Sequence, residues 1–209
     1  MSSRYELKYV IEPSDLFKLE SILLSHSASF TRVFPNRIIH NIYFDTIDYK
    51  SAQSNLGGIS DRVKIRYRWY GNNAAPKLGT IEQKIKHNSL GQKKYIKDVA
   101  YSSMSQLVTF INNAFPSYHL KPSIYNQYVR QYFEDFTNSF RLTIDSAIKY
   151  KYPESGFETD GFVYEDPKII VELKFDEKDY KRAENITQYF PFRQNKHSKY
   201  VTGVQYTIY

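Results

Sequence analysis

The feature that most limits what this chain can become is a two-residue alternation of charge and apolarity in Asp61-Arg-Val-Lys-Ile-Arg-Tyr-Arg-Trp-Tyr70. Successive side chains of an extended strand point to opposite faces, so Arg62, Lys64, Arg66 and Arg68 share one face while Val63, Ile65, Tyr67 and Trp69 share the other. A helix would scatter the same residues around its axis. The division recurs along the chain. Glu82, Lys84 and Lys86 align in Ile81-Glu-Gln-Lys-Ile-Lys86, and Glu172 and Lys174 stand opposite Val171, Leu173 and Phe175. Arg4, Glu6 and Lys8 align, as do Tyr128, Arg130 and Glu134, and Arg141, Thr143 and Asp145 alternate with Phe140, Leu142 and Ile144.

Turn clusters separate these segments: Gly57-Gly58, Gly71-Asn72-Asn73, Asn88-Ser89-Leu90-Gly91, Pro153-Glu154-Ser155-Gly156 and Asp160-Gly161. Between them the alternation predicts strands over 3–11, 38–45, 61–70, 79–87, 92–100, 123–135, 139–149 and 168–176, with a weaker one over 157–165. The content of 20 Tyr and 14 Phe suits a pleated, half-buried surface and keeps helices in the minority. Ser14-Asp15 can cap a helix bearing Leu16, Leu19, Ile22 and Leu23, Ser102-Ser103 one bearing Leu107, Phe110 and Ile111, and a third spans 178–190. Apolar helix stripes need a surface, and the apolar strand faces supply it. The expected fold is therefore α+β: one domain over 1–209, a closed antiparallel β-barrel of about eight strands with helices packed outside.

Charged faces on a one-sided sheet ordinarily meet water. Six such faces in one chain, their apolar sides covered by helices, instead suggest a sheet curled around its cations. Two unit charges about 4 Å apart cost about 4 kcal/mol at an effective dielectric near 20, so such a lining calls for an anion between them. Arg offers a planar fork to phosphate oxygens and Lys a compact charge, which suits a chain of phosphates. The balance of 29 Lys and Arg against 22 Asp and Glu, net +7, agrees with an anionic partner. Among the acidic residues of these faces, Glu6, Glu82, Asp145 and Glu172, the last is the preferred ligand for Mg²⁺ or Mn²⁺; an internal ion pair with a facing Arg or Lys is its alternative. Lys196 and Lys199 stand at i, i+3 and could present both amines to one ligand if the turn were helical, or lie in a solvated loop.

Other classes drop out. With no Cys there is no disulfide, Cys metal site or Cys nucleophile, and a cytoplasmic location is expected. The five His show no metal-ligand spacing, so zinc is not expected. No apolar run approaches the roughly 20 residues that span a bilayer, so no membrane segment is expected. Nucleic acid is not the expected partner, because the tyrosines are scattered through strands and form no open stacking platform.

Taken in order, Arg4-Tyr-Glu-Leu-Lys-Tyr9, Asn41-Ile-Tyr-Phe-Asp45, Lys64-Ile-Arg-Tyr-Arg-Trp-Tyr-Gly71, Ile81-Glu-Gln-Lys84, Tyr128-Val-Arg130, Arg141-Leu-Thr-Ile-Asp145, Val171-Glu-Leu-Lys174 and Lys196-His-Ser-Lys-Tyr200 resemble the vacuolar transporter chaperone (VTC) domain over nearly the whole chain. That family is the polyphosphate polymerase branch of the triphosphate tunnel metalloenzymes. The resemblance implies a tunnel in which Lys8, Arg66, Arg68, Lys84, Arg130, Arg141, Lys196 and Lys199 hold phosphates, Tyr128 lines the wall and Glu172 binds the metal. It implies a further tunnel lysine on the strand after Lys84, for which Lys94 and Lys97 compete. The implied activity is transfer of the ATP γ-phosphoryl group to a growing polyphosphate chain, with Mn²⁺ or Mg²⁺ as cofactor, ATP and polyphosphate as partners and a nucleoside diphosphate released. A triphosphate hydrolase and a non-catalytic polyphosphate-binding module are the alternatives. Arg-x-Glu-x-Lys stands where the hydrolytic and cyclase branches carry Glu-x-Glu-x-Lys, which disfavours their two-metal arrangement. The phosphate-sensing and membrane domains of the eukaryotic vacuolar complex are not in this sequence, so the resemblance implies a stand-alone module of bacterial type whose membrane partner, if any, is a separate protein.

Overall fold

The computed structural model describes residues 4–72, 78–87, 90–153, 161–162 and 164–208. Its strands are β1 (Arg4–Ile11), β2 (Thr31–Asp45), β3 (Arg62–Tyr70), β4 (Gly79–His87), β5 (Leu90–Val99), β6 (Lys121–Glu134), β7 (Arg141–Lys151), β8 (Tyr164–Asp166) and β9 (Ile169–Asp176). The helices are α1 (Leu16–Ser25), α2 (Lys50–Leu56), α3 (Met104–Ala114), α4 (Tyr180–Thr187) and α5 (Lys199–Thr207). The sheet is antiparallel and runs in the order β1-β9-β7-β6-β2-β3-β4-β5, with β8 paired to β7. This is the expected eight-strand antiparallel fold with one correction: β1 and β5 end the order, and among the described residues no ladder joins them, so the sheet is open rather than closed. The expected turns at 73, 88–89, 154–156 and 160, and most of the weak strand over 157–165, lie outside the described residues.

The sequence reading treats 1–209 as one domain; the fold divides into two compact units, to both of which β2, β6, β7 and β8 contribute residues. The first comprises 1–37, 128–148 and 166–197. In it the apolar parity of β1, β7 and β9, including Tyr9, Ile11, Leu142, Ile144, Val171, Leu173 and Phe175, packs with Leu19 and Leu23 of α1 and Ala183 and Ile186 of α4. Leu19 and Leu23 are fully buried, each contributing about 1.5–3 kcal/mol relative to exposure. The second unit comprises 38–127, 149–165 and 198–209. There Ile42, Phe44, Ile65, Tyr67, Trp69 and Ile81 pack against Leu107 and Ile111 of α3. In both units the charged parity of the strands is the face these helices leave uncovered.

Local chemistry accounts for some of the element ends. Ser103 caps α3, its hydroxyl accepting from the Gln106 amide at 3.2 Å. Asp15 occupies the cap position of α1 but makes no side-chain cap bond, because a 3-10 turn over Pro13–Asp15 leads into the helix. The third expected helix is shorter than 178–190, with a 3-10 turn at Glu177–Asp179 preceding α4. In the second unit the buried Asp45 carboxylate fixes the start of α2: Oδ1 accepts from the Ser51 amide at 2.9 Å and Oδ2 from the Ala52 amide at 3.1 Å. The hydroxyl of Tyr200, on α5, donates to the same Oδ2 at 2.5 Å. Unlike α3, α5 meets the charged parity of its unit, since Tyr200 stacks on Tyr43, whose register partner is Arg66. Gly203 permits the docking: a Cβ there would lie 2.6 Å from Tyr150 Cδ1 and 2.9 Å from Ile124 Cγ1.

Candidate functional site

The first unit gathers its charges where β1, β9 and β7 run side by side. Register places Lys8 opposite Glu172, Glu6 opposite Lys174, and Thr143 opposite Glu172 from the other side. The Lys8 ammonium lies 3.0 Å from Glu172 Oε1 and 3.0 Å from Glu6 Oε1, and donates to the His197 carbonyl at 3.2 Å. Burial opposes the charge on Lys8, but Glu172 and Glu6 outweigh it and hold its pKa above the ordinary lysine value. Glu172 Oε2 accepts from Lys174 at 2.9 Å and faces Arg130 at 3.8 Å. Arg130 grips the fully buried Asp145 with two bonds, 2.5 Å from Nε to Oδ1 and 2.6 Å from Nη2 to Oδ2. Burial alone would lower the Arg130 pKa; Asp145, aided by Tyr128 and Glu172, raises it well above the ordinary value. The guanidinium also lies 5.4 Å from the ring centre of the buried Tyr128. Lys8, Tyr128, Arg130 and Glu172 are thus brought together.

Arg141 is held differently. It shares the parity of Thr143 and Asp145, but its side chain is 64% exposed and pairs with Glu134 at 3.0 Å. Lys196 is exposed, and its amide donates to the side chain of Asn195, with no helix around it. Of the two readings of this segment, the solvated loop holds for Lys196 and no helical turn joins it to Lys199, because α5 begins at Lys199.

The second unit carries the long cation row. Arg66 is bound to Glu82 through Nε at 2.9 Å and Nη2 at 2.5 Å, and Arg68 Nη1 lies 3.6 Å from the other Glu82 oxygen. Burial would raise the Glu82 carboxyl, but Arg66 and Arg68 together hold it below its usual value. Arg68 is almost fully buried and donates from Nε to Asn41 Oδ1 at 2.7 Å; Asn41 in turn donates to Asn126 at 2.8 Å. Lys64 donates to Ser198 Oγ at 2.8 Å, and the same oxygen caps α5 by accepting from the Val201 amide at 3.4 Å. Lys199, the first residue of that helix, is buried.

Register shows which lysine of β5 shares a face with Lys84. Lys84 stands opposite Lys64 on one side and Lys93 on the other, while Lys94 pairs with Gln83 and belongs to the opposite face. Lys97 keeps the parity of Lys93 but falls where the ladder shifts, beside Asp98 at φ 56°. Lys93 is the residue sequence reading missed. The signal was the hairpin length: with His87 opposite Leu90, every later pair of β4 and β5 follows up to that shift.

Among the described residues no three acidic or histidine side chains gather as a complete metal site. The first unit nevertheless fits a hard dication in part, since Lys8 places one positive charge between two carboxylates, Glu6 and Glu172. Mg²⁺ is commonly held by one or two carboxylates with phosphates and water completing its shell, and Glu172 with Glu6 could supply that share.

The fold of this antiparallel sheet is shared with several solved structures. A candidate adenylate cyclase from Vibrio parahaemolyticus is 14% identical, with a TM-score of 0.54 and coverage of 94% of this chain and 95% of that one. One from Bacillus halodurans is 13% identical, with a TM-score of 0.55 over 95% and 94%. A candidate adenylyl cyclase from Hippeastrum, described as having a dominant triphosphatase activity, is 14% identical, with a TM-score of 0.54 over 100% and 98%. Similarity at this level establishes the fold. The VTC domain model matches residues 3–208, and the chain belongs to the VTC domain family. Comparison with curated proteins found no match. No helix among the described residues is long and apolar enough to cross a membrane.

Proposed function

We propose that this VTC domain is a polyphosphate polymerase that transfers the γ-phosphoryl group of ATP to the end of a growing polyphosphate chain. A terminal phosphate oxygen of the acceptor forms the new bond to the γ-phosphorus, the bond from that phosphorus to the β-bridging oxygen breaks, and ADP leaves with the electron pair. The observation that carries this reading is the β3 row of Arg62, Lys64, Arg66 and Arg68, in register with Lys84, Lys86 and Lys93, on a VTC domain. So many cations on one face favour a ligand of linked phosphates.

In this reading the work is positioning and charge neutralisation, as is general for phosphoryl transfer. Arg66 and Arg68 clamp phosphoryl oxygens, with Glu82 and Asn41 fixing the two guanidinium planes. Arg130, anchored by Asp145, and Lys8 neutralise phosphate charge in the first unit, while Lys84, Lys93, Lys97, Lys199, Arg141 and Lys196 hold further phosphates. Glu172 is the ligand for Mn²⁺ or Mg²⁺, and the dication when bound offsets charge on the reacting phosphates. No side-chain nucleophile is required. A cytoplasmic location, with ATP and divalent cations at hand, belongs to the same reading.

Purified protein is incubated with ATP and Mn²⁺ or Mg²⁺, with and without a short polyphosphate primer. Polymer together with ADP is expected, and absence of polymer under all four conditions rejects the polymerase. Orthophosphate without polymer selects a triphosphatase, the reading favoured by the Glu6 and Glu172 pair around Lys8 and by the activity described for the Hippeastrum protein. Salt-sensitive polyphosphate binding without turnover selects a binding module.

A further inference from the structure

Within the ionic cluster of the first unit, one polar group stands apart. Thr143 lies on β7 directly opposite Glu172, on the parity of Arg141 and Asp145, and is 8% exposed. Its hydroxyl is buried and finds no hydrogen-bond partner among the described residues. Every other group around it is committed: Asp145 to Arg130, and Glu172 to Lys8 and Lys174.

A hydroxyl buried without a partner costs about 1–3 kcal/mol of stability. Valine has the same shape, matches or exceeds threonine in strand preference and carries no such penalty. The position therefore trades stability for a donor held among the cations expected to grip phosphate. A hydroxyl opposite Glu172, the carboxylate that Lys8 and Arg130 both face, adds what they lack, a neutral, directional bond carrying no like-charge repulsion.

Resting on the phosphate-binding reading of this cluster, we propose that Thr143 is a further phosphate-positioning residue, its hydroxyl donating to a phosphoryl oxygen held by Lys8 and Arg130. The hydroxyl is buried in the ligand-free protein, and rearrangement of the ion pairs around its cross-strand partner Glu172 about an incoming phosphate brings it into use. The donated bond fixes the orientation of the phosphate, whereas the ammonium and guanidinium supply attraction.

Thr143→Val and Thr143→Ser are compared with wild type by calorimetric titration with inorganic tripolyphosphate, with and without Mn²⁺, and by thermal unfolding without ligand. Thr143→Val is expected to unfold at the same temperature as wild type or higher, yet to bind tripolyphosphate about 10- to 100-fold more weakly, the range of a hydrogen bond to a charged group. Thr143→Ser is expected to bind within a few fold of wild type. If wild type binds and Thr143→Val binds equally well, the role of Thr143 is overturned while the phosphate site stands. A lowered unfolding temperature in Thr143→Val with no selective loss of affinity also overturns it, in favour of a packing role. If wild type itself fails to bind tripolyphosphate, the phosphate-binding reading falls and this inference with it.

Discussion

Lys8 and Glu172 are direct cross-strand partners between β1 and β9, with Nζ 3.0 Å from Oε1. Neither is simply the other's counterion, because Lys8 also contacts Glu6 and Glu172 also receives Lys174. A cycle of Lys8→Met, Glu172→Gln and the double variant should give a coupling of about 1–3 kcal/mol by denaturant unfolding, in the range for contacting residues of one network. A coupling indistinguishable from zero would show that Glu6 alone holds the ammonium.

Arg130 and Arg141 were equivalent candidates by sequence, but their removal should have different costs. Arg130→Ala strands the fully buried Asp145, and breaking a buried pair in this way costs about 3–5 kcal/mol. Arg141→Ala loses a largely exposed pair with Glu134, worth at most about 1 kcal/mol. Thermal unfolding of the two variants side by side makes the comparison, and equal losses would contradict the described geometry.

Glu82 predicts a pH dependence with a definite sign. Its folded pKa lies below the ordinary 4.5, so its contribution is present above that value and is lost as pH falls through the folded value. Glu82→Gln should therefore be less stable than wild type by about 2 kcal/mol near pH 6, the scale of hydrogen bonds to charged groups. The gap should close as the solution is acidified through the folded value. Urea unfolding of both proteins across this range tests it; a gap that persists unchanged at low pH would falsify the assignment.

Gly203→Ala should reverse the usual rule for helices. Alanine in place of glycine inside a helix ordinarily gains about 1 kcal/mol. Here the new methyl would meet the Tyr150 ring and Ile124 at 2.6 and 2.9 Å, and overpacking of this kind costs about 1–3 kcal/mol. The unfolding midpoint should fall, and Gly203→Val should lower it further.

The strand faces were legible because alternation is a local property. Val63 to Trp69 and Arg62 to Arg68 needed no partner to declare their sides, and the alternating strands were found within a few residues of their ends except β2, which starts at Thr31 rather than at 38. Pairing between strands is not local. Lys93 was missed because one residue of uncertainty in a hairpin shifts which lysine faces Lys84. Helix α5 was missed for another reason: Lys199-Tyr-Val-Thr-Gly-Val-Gln-Tyr-Thr207 is rich in β-branched and aromatic residues and contains glycine, all poor helix formers. It forms because Ser198 caps it and Tyr200 and Gly203 dock it, contacts that exist only in the folded chain. The engagement of Arg66 by Glu82 and of Arg130 by Asp145 was likewise beyond the reach of composition, which counts charges without saying which are already spent.

The transverse row of Lys64, Lys84 and Lys93, flanked by Arg62 opposite Lys86, bears on the handling of the protein itself. On the phosphate-binding reading proposed above, a small oxyanion supplied by the buffer would occupy that row and favour the folded form by mass action. Melting temperatures taken in phosphate or sulfate should therefore exceed those taken in an amine buffer with chloride, and substrate affinities measured in the former will be those of a competitor-laden surface.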